Sequence, residues 1–530
     1  MTKITVDTAA PGVDLDIGRF VSIGQAGWTE RPIPVEHVES LRNLKMKFIR
    51  LFVQEYFHVH PRRGVYEWGK LDKAIEAILA CGAKPVMCIC IKPKVLFPDA
   101  DERSVHPRSY AEWRRLIRAM VRHCARKKYG IEHWEVGNEP DIGGGGGCPY
   151  LFTPENYAEY YEQTARAVRA ADPAAKVGGP AIARSFSTPP SPAHPQGVAA
   201  SPILPALLDR VVKKKLPLDF VSWHRYSDDP EEFRKSIRYV HGLLAERGLK
   251  CETSLNEWNI GLRANMMMHL AHPEYQPCFV IDVVNAMVEE GLSTACYWHI
   301  RSLNIGMGGM AFLGEKEKGV VYAANYNSNL LAVFDSQGNA RPVYYAFKML
   351  SRLAGRRAAA ACSGGNARAL AAYDAQNDSV AVLVWNFAKE ECRAEKVRLA
   401  IKVKLGVYSL CEYRLDAKCP GNTEDERLKI VRWVDYTPET EAFLETLELP
   451  PYGVAMLRLK FRGCPSKPSA QAPAARRGPD HSDVTAESTA VTTRKRAWPQ
   501  SRAVNGRPPA VAARRPSQDA RAGVRCATTM

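Results

Sequence analysis

Two glutamates, Glu139 and Glu257, each close a short apolar run. The first lies in Trp134-Glu135-Val136-Gly137-Asn138-Glu139-Pro140-Asp141 and the second in Ser254-Leu255-Asn256-Glu257-Trp258-Asn259. Both runs have the length and composition of a strand, so both carboxylates stand where a strand ends. Two such carboxylates are what cleavage of a glycosidic bond needs. One carries a proton for the leaving oxygen, and the other stays ionised to attack the sugar or to activate water. A carboxyl separation of roughly 5–5.5 Å gives retention of configuration, and roughly 6.5–9.5 Å leaves room for a water and gives inversion. The sequence leaves both open.

Bringing two such distant residues to one place requires a fold whose strand ends converge. Strand-like runs and amphipathic helical patterns alternate through the first two thirds of the chain. Phe20–Gly24 precedes a helical pattern with Val35, Val38, Leu41 and Leu44 on one face, and Lys47–Phe52 is the next strand. Leu71, Ile75, Ile78 and Leu79 mark a second helix that Gly82 can end, and Pro85–Ile91 reads as a strand buried on both faces. Trp113, Leu116, Ile117, Met120, Val121 and Cys124 fall at helical spacing. Thr153-Pro154-Glu155 and Asp229-Pro230-Glu231 are helix starts, each a capping residue followed by a first-turn proline. Further strands are predicted at residues 176–180, 219–224, 252–256 and 295–299. Eight strands alternating with helices predict an α/β fold, a (β/α)8 TIM barrel over residues 1–355, with Glu139 after the fourth strand and Glu257 after the seventh.

From about Arg356 apolar residues recur at every second position, as in Val397-Arg398-Leu399-Ala400-Ile401-Lys402-Val403-Lys404. This pattern predicts an antiparallel β-sandwich over residues 356–462 that braces the barrel. Residues 463–530 are rich in Pro, Ala, Arg, Ser and Thr and predict a disordered tail. That tail holds twelve Lys/Arg against four Asp/Glu, half of the chain's net charge of +16. The globular part is only mildly basic, which argues against a specific nucleic-acid partner. Fourteen cysteines are a low share of 530 residues, and Cys88, Cys90 and Cys296 lie inside apolar runs, so buried thiols are expected rather than a disulfide scaffold. The start of the chain lacks a basic, then apolar, leader and no run approaches a membrane span, which together predict a cytoplasmic protein with no membrane partner.

Five motifs in order resemble clan A glycoside hydrolases, and most of all glycoside hydrolase family 39. They are Asn138-Glu139-Pro140-Asp141, Val177-Gly178-Gly179-Pro180, Asp219-Phe220-Val221-Ser222-Trp223-His224-Arg225-Tyr226, Asn256-Glu257-Trp258-Asn259 and Pro342-Val343-Tyr344-Tyr345-Ala346-Phe347-Lys348. The resemblance spans roughly residues 15–460. It implies a retaining hydrolase of β-xyloside-type or related oligosaccharides, with Glu139 as acid/base and Glu257 as nucleophile. By the same resemblance Asn138 contacts the sugar 2-hydroxyl, Arg50 keeps the nucleophile ionised, His224 and Tyr226 contact the sugar, and Trp298 forms an aromatic floor. The partner implied is a carbohydrate substrate, with no metal or nucleotide cofactor, and a homo-oligomer is compatible with the sequence. An ionised Glu257 nearby is expected to raise the pKa of Glu139. The chain departs from the family pattern at Gly137, in place of a tryptophan, and at Leu51-Phe52-Val53-Gln54, in place of a His-containing turn. It departs again at His299-Ile300-Arg301-Ser302-Leu303-Asn304, which lacks acidic residues.

Other signals are weaker. His58-Val59-His60 has no third metal ligand nearby in sequence, and the glycine run 143–147 is not followed by the Lys-Ser/Thr of a phosphate loop, so an active-site loop is expected there. Two alternatives remain at this level. One is an endo-acting polysaccharide hydrolase of the same fold, and the other is a barrel that binds carbohydrate without turnover.

Overall fold

Eight short strands, each buried on both faces or nearly so, cannot be satisfied as an open sheet edge, and they close on one another. The strands are β2 (Ser22–Gly24), β3 (Phe48–Val53), β4 (Lys84–Ile89), β5 (His133–Val136), β6 (Lys176–Ile182), β7 (Phe220–Tyr226), β8 (Glu252–Asn259) and β9 (Thr294–Tyr297). They form a closed parallel barrel in chain order, sealed by β2 pairing with β9. The computed structural model describes residues 1–25, 31–99, 101–146, 148–190, 196–261, 272–301, 332–335, 337–421 and 427–464. The expected disordered tail therefore lies outside the described residues from position 465 onward, as do position 147 of the glycine run and Ser302-Leu303-Asn304. Barrel and accessory sheet belong to one unit, Met1–Pro465.

The helices start where the capping residues put them. Thr153 Oγ1 accepts from the Asn156 amide at 3.3 Å to open Pro154–Ala171, and Asp229 Oδ1 accepts from the Glu231 amide at 3.0 Å to open Pro230–Glu246. In Tyr110–Arg126 all six residues of the apolar stripe are buried. The first helical pattern is only partly realised. Val35 opens a single 3-10 turn and is exposed, while Leu41 and Leu44 are buried, because the regular helix is confined to Val38–Arg42.

The second layer is a nine-stranded, mostly antiparallel sheet. Its strands are β1 (Thr2–Asp14), β10 (Arg356–Ser363), β11 (Ala367–Asp374), β12 (Ser379–Asn386), β13 (Glu395–Lys402), β14 (Val407–Leu415), β15 (Ile430–Tyr436), β16 (Ala442–Leu449) and β17 (Val454–Gly463). They are ordered β15-β14-β17-β12-β11-β10-β1-β13-β16. The period-two pattern is obeyed on β13, where Val397, Leu399 and Ile401 are buried and their neighbours are not. The assignment of residues 1–355 to the barrel needs one correction. Strand β1 belongs to this sheet, antiparallel to β10 and parallel to β13, because Ile4 and Val6 face its interior alongside Val397, Leu399 and Ile401.

Strand β12 uses both faces. Val380, Val382 and Val384 fill the interior of the accessory sheet, whereas Ala381, Leu383 and Trp385 join the core that continues into the barrel. Asp282, on the helix Tyr275–Glu289, accepts from Trp385 Nε1 at 2.8 Å and pairs with Arg368 on β11, so a polar contact accompanies the apolar seam. No helix among the described residues is long and apolar enough to cross a membrane. The described cysteines are free thiols, with Cys88, Cys90 and Cys296 buried.

Candidate active site

Strand β5 ends in a turn that projects its last polar residues over the barrel mouth. Gly137 takes φ +88° and Glu139 itself φ +42°, a left-handed conformation that is uncommon away from glycine and is held here by the Glu139 amide donating to the Ala181 carbonyl at 2.8 Å. Across the mouth, the pairing of β7 with β8 slips by one residue. Trp223 is opposite Leu255, but His224 is opposite Glu257. The slip brings Glu257 beside His224. One oxygen of each carboxylate and a ring nitrogen of His224 all lie within 4.8 Å of one another.

Both carboxylates are almost fully buried, Glu139 at 7% and Glu257 at 8% exposure, yet their partners differ in kind. Glu257 receives hydrogen bonds of charge-stabilising type, from Arg50 Nη1 to Oε2 at 3.0 Å and from the Tyr226 hydroxyl to Oε1 at 2.8 Å. Glu139 Oε1 meets only the imidazole of His224, 2.8 Å from Nδ1. Burial pushes Glu139 up to about 8, with the negative charge of Asp141 adding to the rise and Arg50 opposing it. Burial also raises Glu257 and the Glu139 carboxylate adds to that rise, while His224, Arg50 and the Tyr226 hydrogen bond pull it back. His224 is driven down to about 4, chiefly by burial, so near neutral pH it is an uncharged hydrogen-bonding partner of Glu139 and not its counter-ion. The two buried carboxylates also disfavour each other's charge, so the like-charge effect expected from sequence is present beside the larger effect of burial.

Arg50 is the hub. Its side chain is 1% exposed and reaches Glu135 through Nε at 2.7 Å, Glu257 through Nη1, and Asn138 Oδ1 and Cys88 Sγ through Nη2 at 2.7 and 3.4 Å. Burial opposes its charge, but Glu135, Cys88 and Glu257 outweigh that cost and hold it cationic. Glu139, His224 and Glu257 have the composition of a metal-binding triad. The guanidinium, however, already sits where a cation would compensate Glu257. Trp298 packs edge-on to Phe52 with ring centroids 5.5 Å apart, and Phe52 lies 4.6 Å under the Arg50 guanidinium carbon. A Cβ on Gly24 would stand 3.0 Å from the Trp298 ring, so this close approach requires a glycine.

Residues 34–247 match the family model described as glycosyl hydrolases family 39. A β-xylosidase of Caldicellulosiruptor saccharolyticus is 25% identical over 322 residues, 55% of this chain and 58% of that protein. A β-xylosidase of Geobacillus stearothermophilus is 29% identical over 191 residues, one third of either chain. The match to glycosyl hydrolase family 39 thus rests on less than half of the chain. The chain's matches span 58% and 33% of the lengths of those two relatives. The crystal structure of a family 39 enzyme from Xanthomonas axonopodis pv. citri shares the fold, with a TM-score of 0.67 at 20% identity over 87% of this chain and 97% of that one.

The residues singled out by sequence, Arg50, Asn138, Glu139, His224, Tyr226 and Glu257, form one connected cluster. Trp298 borders it through Phe52. Sequence reasoning gave no role in the site to three others. Glu135 is fully buried, pairs with Arg50 and accepts from Asn256 Nδ2. Asp141 accepts from the Ala183 and Arg184 amides at 2.9 and 3.1 Å. Cys88 donates to the Gly137 carbonyl at 3.3 Å. A signal for Glu135 existed, since a carboxylate inside a strand buried on both faces requires a partner.

Removing Arg50 leaves the buried carboxylates of Glu135 and Glu257 without their shared cation. We expect Arg50→Ala to lower unfolding stability by about 3–5 kcal/mol. Urea unfolding followed by circular dichroism at neutral pH measures the loss, and a midpoint unchanged from wild type would contradict the hub role.

Proposed function

We propose that this protein hydrolyses O-glycosidic bonds with retention of configuration, by double displacement, on β-xyloside-type or related short oligosaccharides. The observation that carries the reading is the pair of buried carboxylates, with one oxygen of each within 4.8 Å. That spacing is on the side of a covalent glycosyl intermediate and short of the roughly 6.5–9.5 Å that accommodates an attacking water. The sugar class rests on the β-xylosidase relatives.

In this reading Glu257 attacks the anomeric carbon, its charge supported by Arg50 and Tyr226. Glu139 gives its proton to the leaving oxygen, for which a carboxyl held up at about 8 is suited near neutral pH. Once Glu257 is esterified its charge is gone, and Glu139 can take a proton from water as that water attacks the sugar–Glu257 ester. Asn138, fixed by Arg50 through Oδ1, turns its amide nitrogen away from the guanidinium and is assigned to the sugar 2-hydroxyl. His224 orients Glu139, and Trp298 provides a flat apolar surface for a sugar face.

The direct test is hydrolysis of a panel of aryl xylosides, arabinosides, glucosides, galactosides and uronides, with the anomer of the first-formed sugar followed by NMR. A first product of inverted configuration refutes double displacement. Failure to hydrolyse any glycoside, short or polymeric, refutes the hydrolase reading. The pH profile gives a second check. Because Glu139 must be protonated for the first step, kcat/KM on substrates with poor leaving groups should fall as pH rises through about 8. In Glu139→Gln that basic limb should vanish, and its persistence would assign it to another group.

A further inference from the structure

Far from the barrel mouth, the seam between the barrel's last helix and the accessory sheet holds a polar cavity of about 200 Å³. This is several times the roughly 30 Å³ that a water occupies in the liquid. Its polar lining is Arg352, Asp374, Asn377, Ser379, Arg458 and Lys460. Arg352 follows the helix Pro342–Leu350 at the end of the barrel. Arg458 and Lys460 lie on β17, directly opposite Ala381 and Ser379 of β12. As alternate residues of one strand, the two cations point to the same face of the sheet.

Three cationic side chains therefore face one space with a single carboxylate among them. That carboxylate is hydrogen-bonded within its own turn: Asp374 Oδ1 accepts from the Gln376 and Asn377 amides at 3.0 and 3.3 Å, and Oδ2 accepts from Asn377 Nδ2 at 2.6 Å. Arg458 adds a smaller charge attraction that leaves the site cationic on balance. Arg458 and Lys460 form no ion pair with a carboxylate among the described residues, although exposed cations elsewhere on the sheet and its connections do, Lys396 with Glu448 and Arg393 with Glu391 among them. Arg352 is held over the Tyr413 ring, its guanidinium carbon 5.0 Å from the centroid, which limits its freedom to swing away. Like charges gathered in one concavity repel one another, and a multivalent anion relieves that repulsion while accepting hydrogen bonds from the guanidinium forks. The Ser379 hydroxyl adds a neutral donor at the wall.

We propose that this cavity is a binding site for a tetrahedral oxyanion, phosphate or sulfate, free or as the ester end of a larger molecule. The anion bridges a cation of the barrel segment to two of the sheet, and its binding to the folded state alone raises the stability of the seam.

The test uses the full chain. Thermal unfolding is followed while inorganic phosphate, inorganic sulfate or glucose 1-phosphate is titrated at constant ionic strength set with chloride, and binding heat is measured in parallel. We expect a saturable rise in Tm with at least one of the three, and at least a tenfold weaker apparent affinity in Arg458→Gln/Lys460→Ala. Glycoside hydrolysis should be unchanged in that variant. Lys460→Ala alone, at an exposed position, serves if the double variant folds poorly and should weaken binding by a smaller factor. A response to glucose 1-phosphate well above that to the free ions identifies an ester as the ligand. Equal response to all oxyanions identifies the ion itself. No saturable rise with any of them, or an equal rise in wild type and variants, overturns the proposal.

Discussion

Glu257→Ala is expected to lower kcat by roughly 10⁴- to 10⁶-fold on every glycoside the wild type turns over, the range seen when a catalytic unit loses a principal member. No other described carboxylate is placed to replace it. Glu135 is tied to Arg50 and Asn256, and Glu139 is held by His224 and is assigned to the proton transfer. Activated aryl leaving groups do not help, because the missing step is the attack and not the departure. Stability should move little, because burial raises the pKa of Glu257 and its removal relieves a desolvation cost while Arg50 keeps Glu135 and Asn138. Steady-state kinetics paired with thermal unfolding read both outcomes. Activity within tenfold of wild type in a folded variant would remove Glu257 from the nucleophile's place.

Glu139→Ala should behave differently with leaving group. For substrates whose departing oxygen needs a proton, the loss is expected to be about 10²- to 10⁴-fold. For aryl glycosides with strongly acidic phenols, formation of the glycosyl-enzyme should be nearly spared and its hydrolysis should become the slow step. That predicts a burst of phenol followed by slow turnover. Azide is a small nucleophile that needs no general base, and it should enter the space left by the carboxylate, accelerate the second step and release a glycosyl azide of retained configuration. Stopped-flow detection of the burst and NMR of the azide product test this directly. Equal losses on both substrate classes, with no burst, would mean that Glu139 is not the acid/base.

These expectations concern residues legible before any coordinates. Asn-Glu at the end of an apolar run, a second Glu ending another, and helix starts marked by Thr153-Pro154 and Asp229-Pro230 are local signals, written within a few consecutive residues. The alternation of strands and helices was legible for the same reason, since hydrophobic periodicity is a local property. Boundaries followed to within a few residues, and the change to period two near Arg356 falls where β10 begins.

Contacts between distant segments were not legible. Whether β1 joined the barrel or the sheet depended on which layer lacked a strand to cover Ile4 and Val6, and their partners in β10 and β13, such as Cys362 and Leu399 opposite Ile4, lie far along the chain. The slip between Trp223 and His224 that sets Glu257 beside the imidazole is a property of two strands read together, and neither sequence alone encodes it. The charge states depend still more on tertiary structure. Glu139 and Glu257 are the same residue type at equivalent strand ends, yet one meets a neutral imidazole with Asp141 behind it and the other meets a guanidinium and a phenol. The sequence by itself determined which side chains reach the barrel mouth, because strand direction and turn position are set locally. Only the closed barrel decided how deeply each carboxylate is buried and which charges it meets, because those are delivered from strands far apart in the chain.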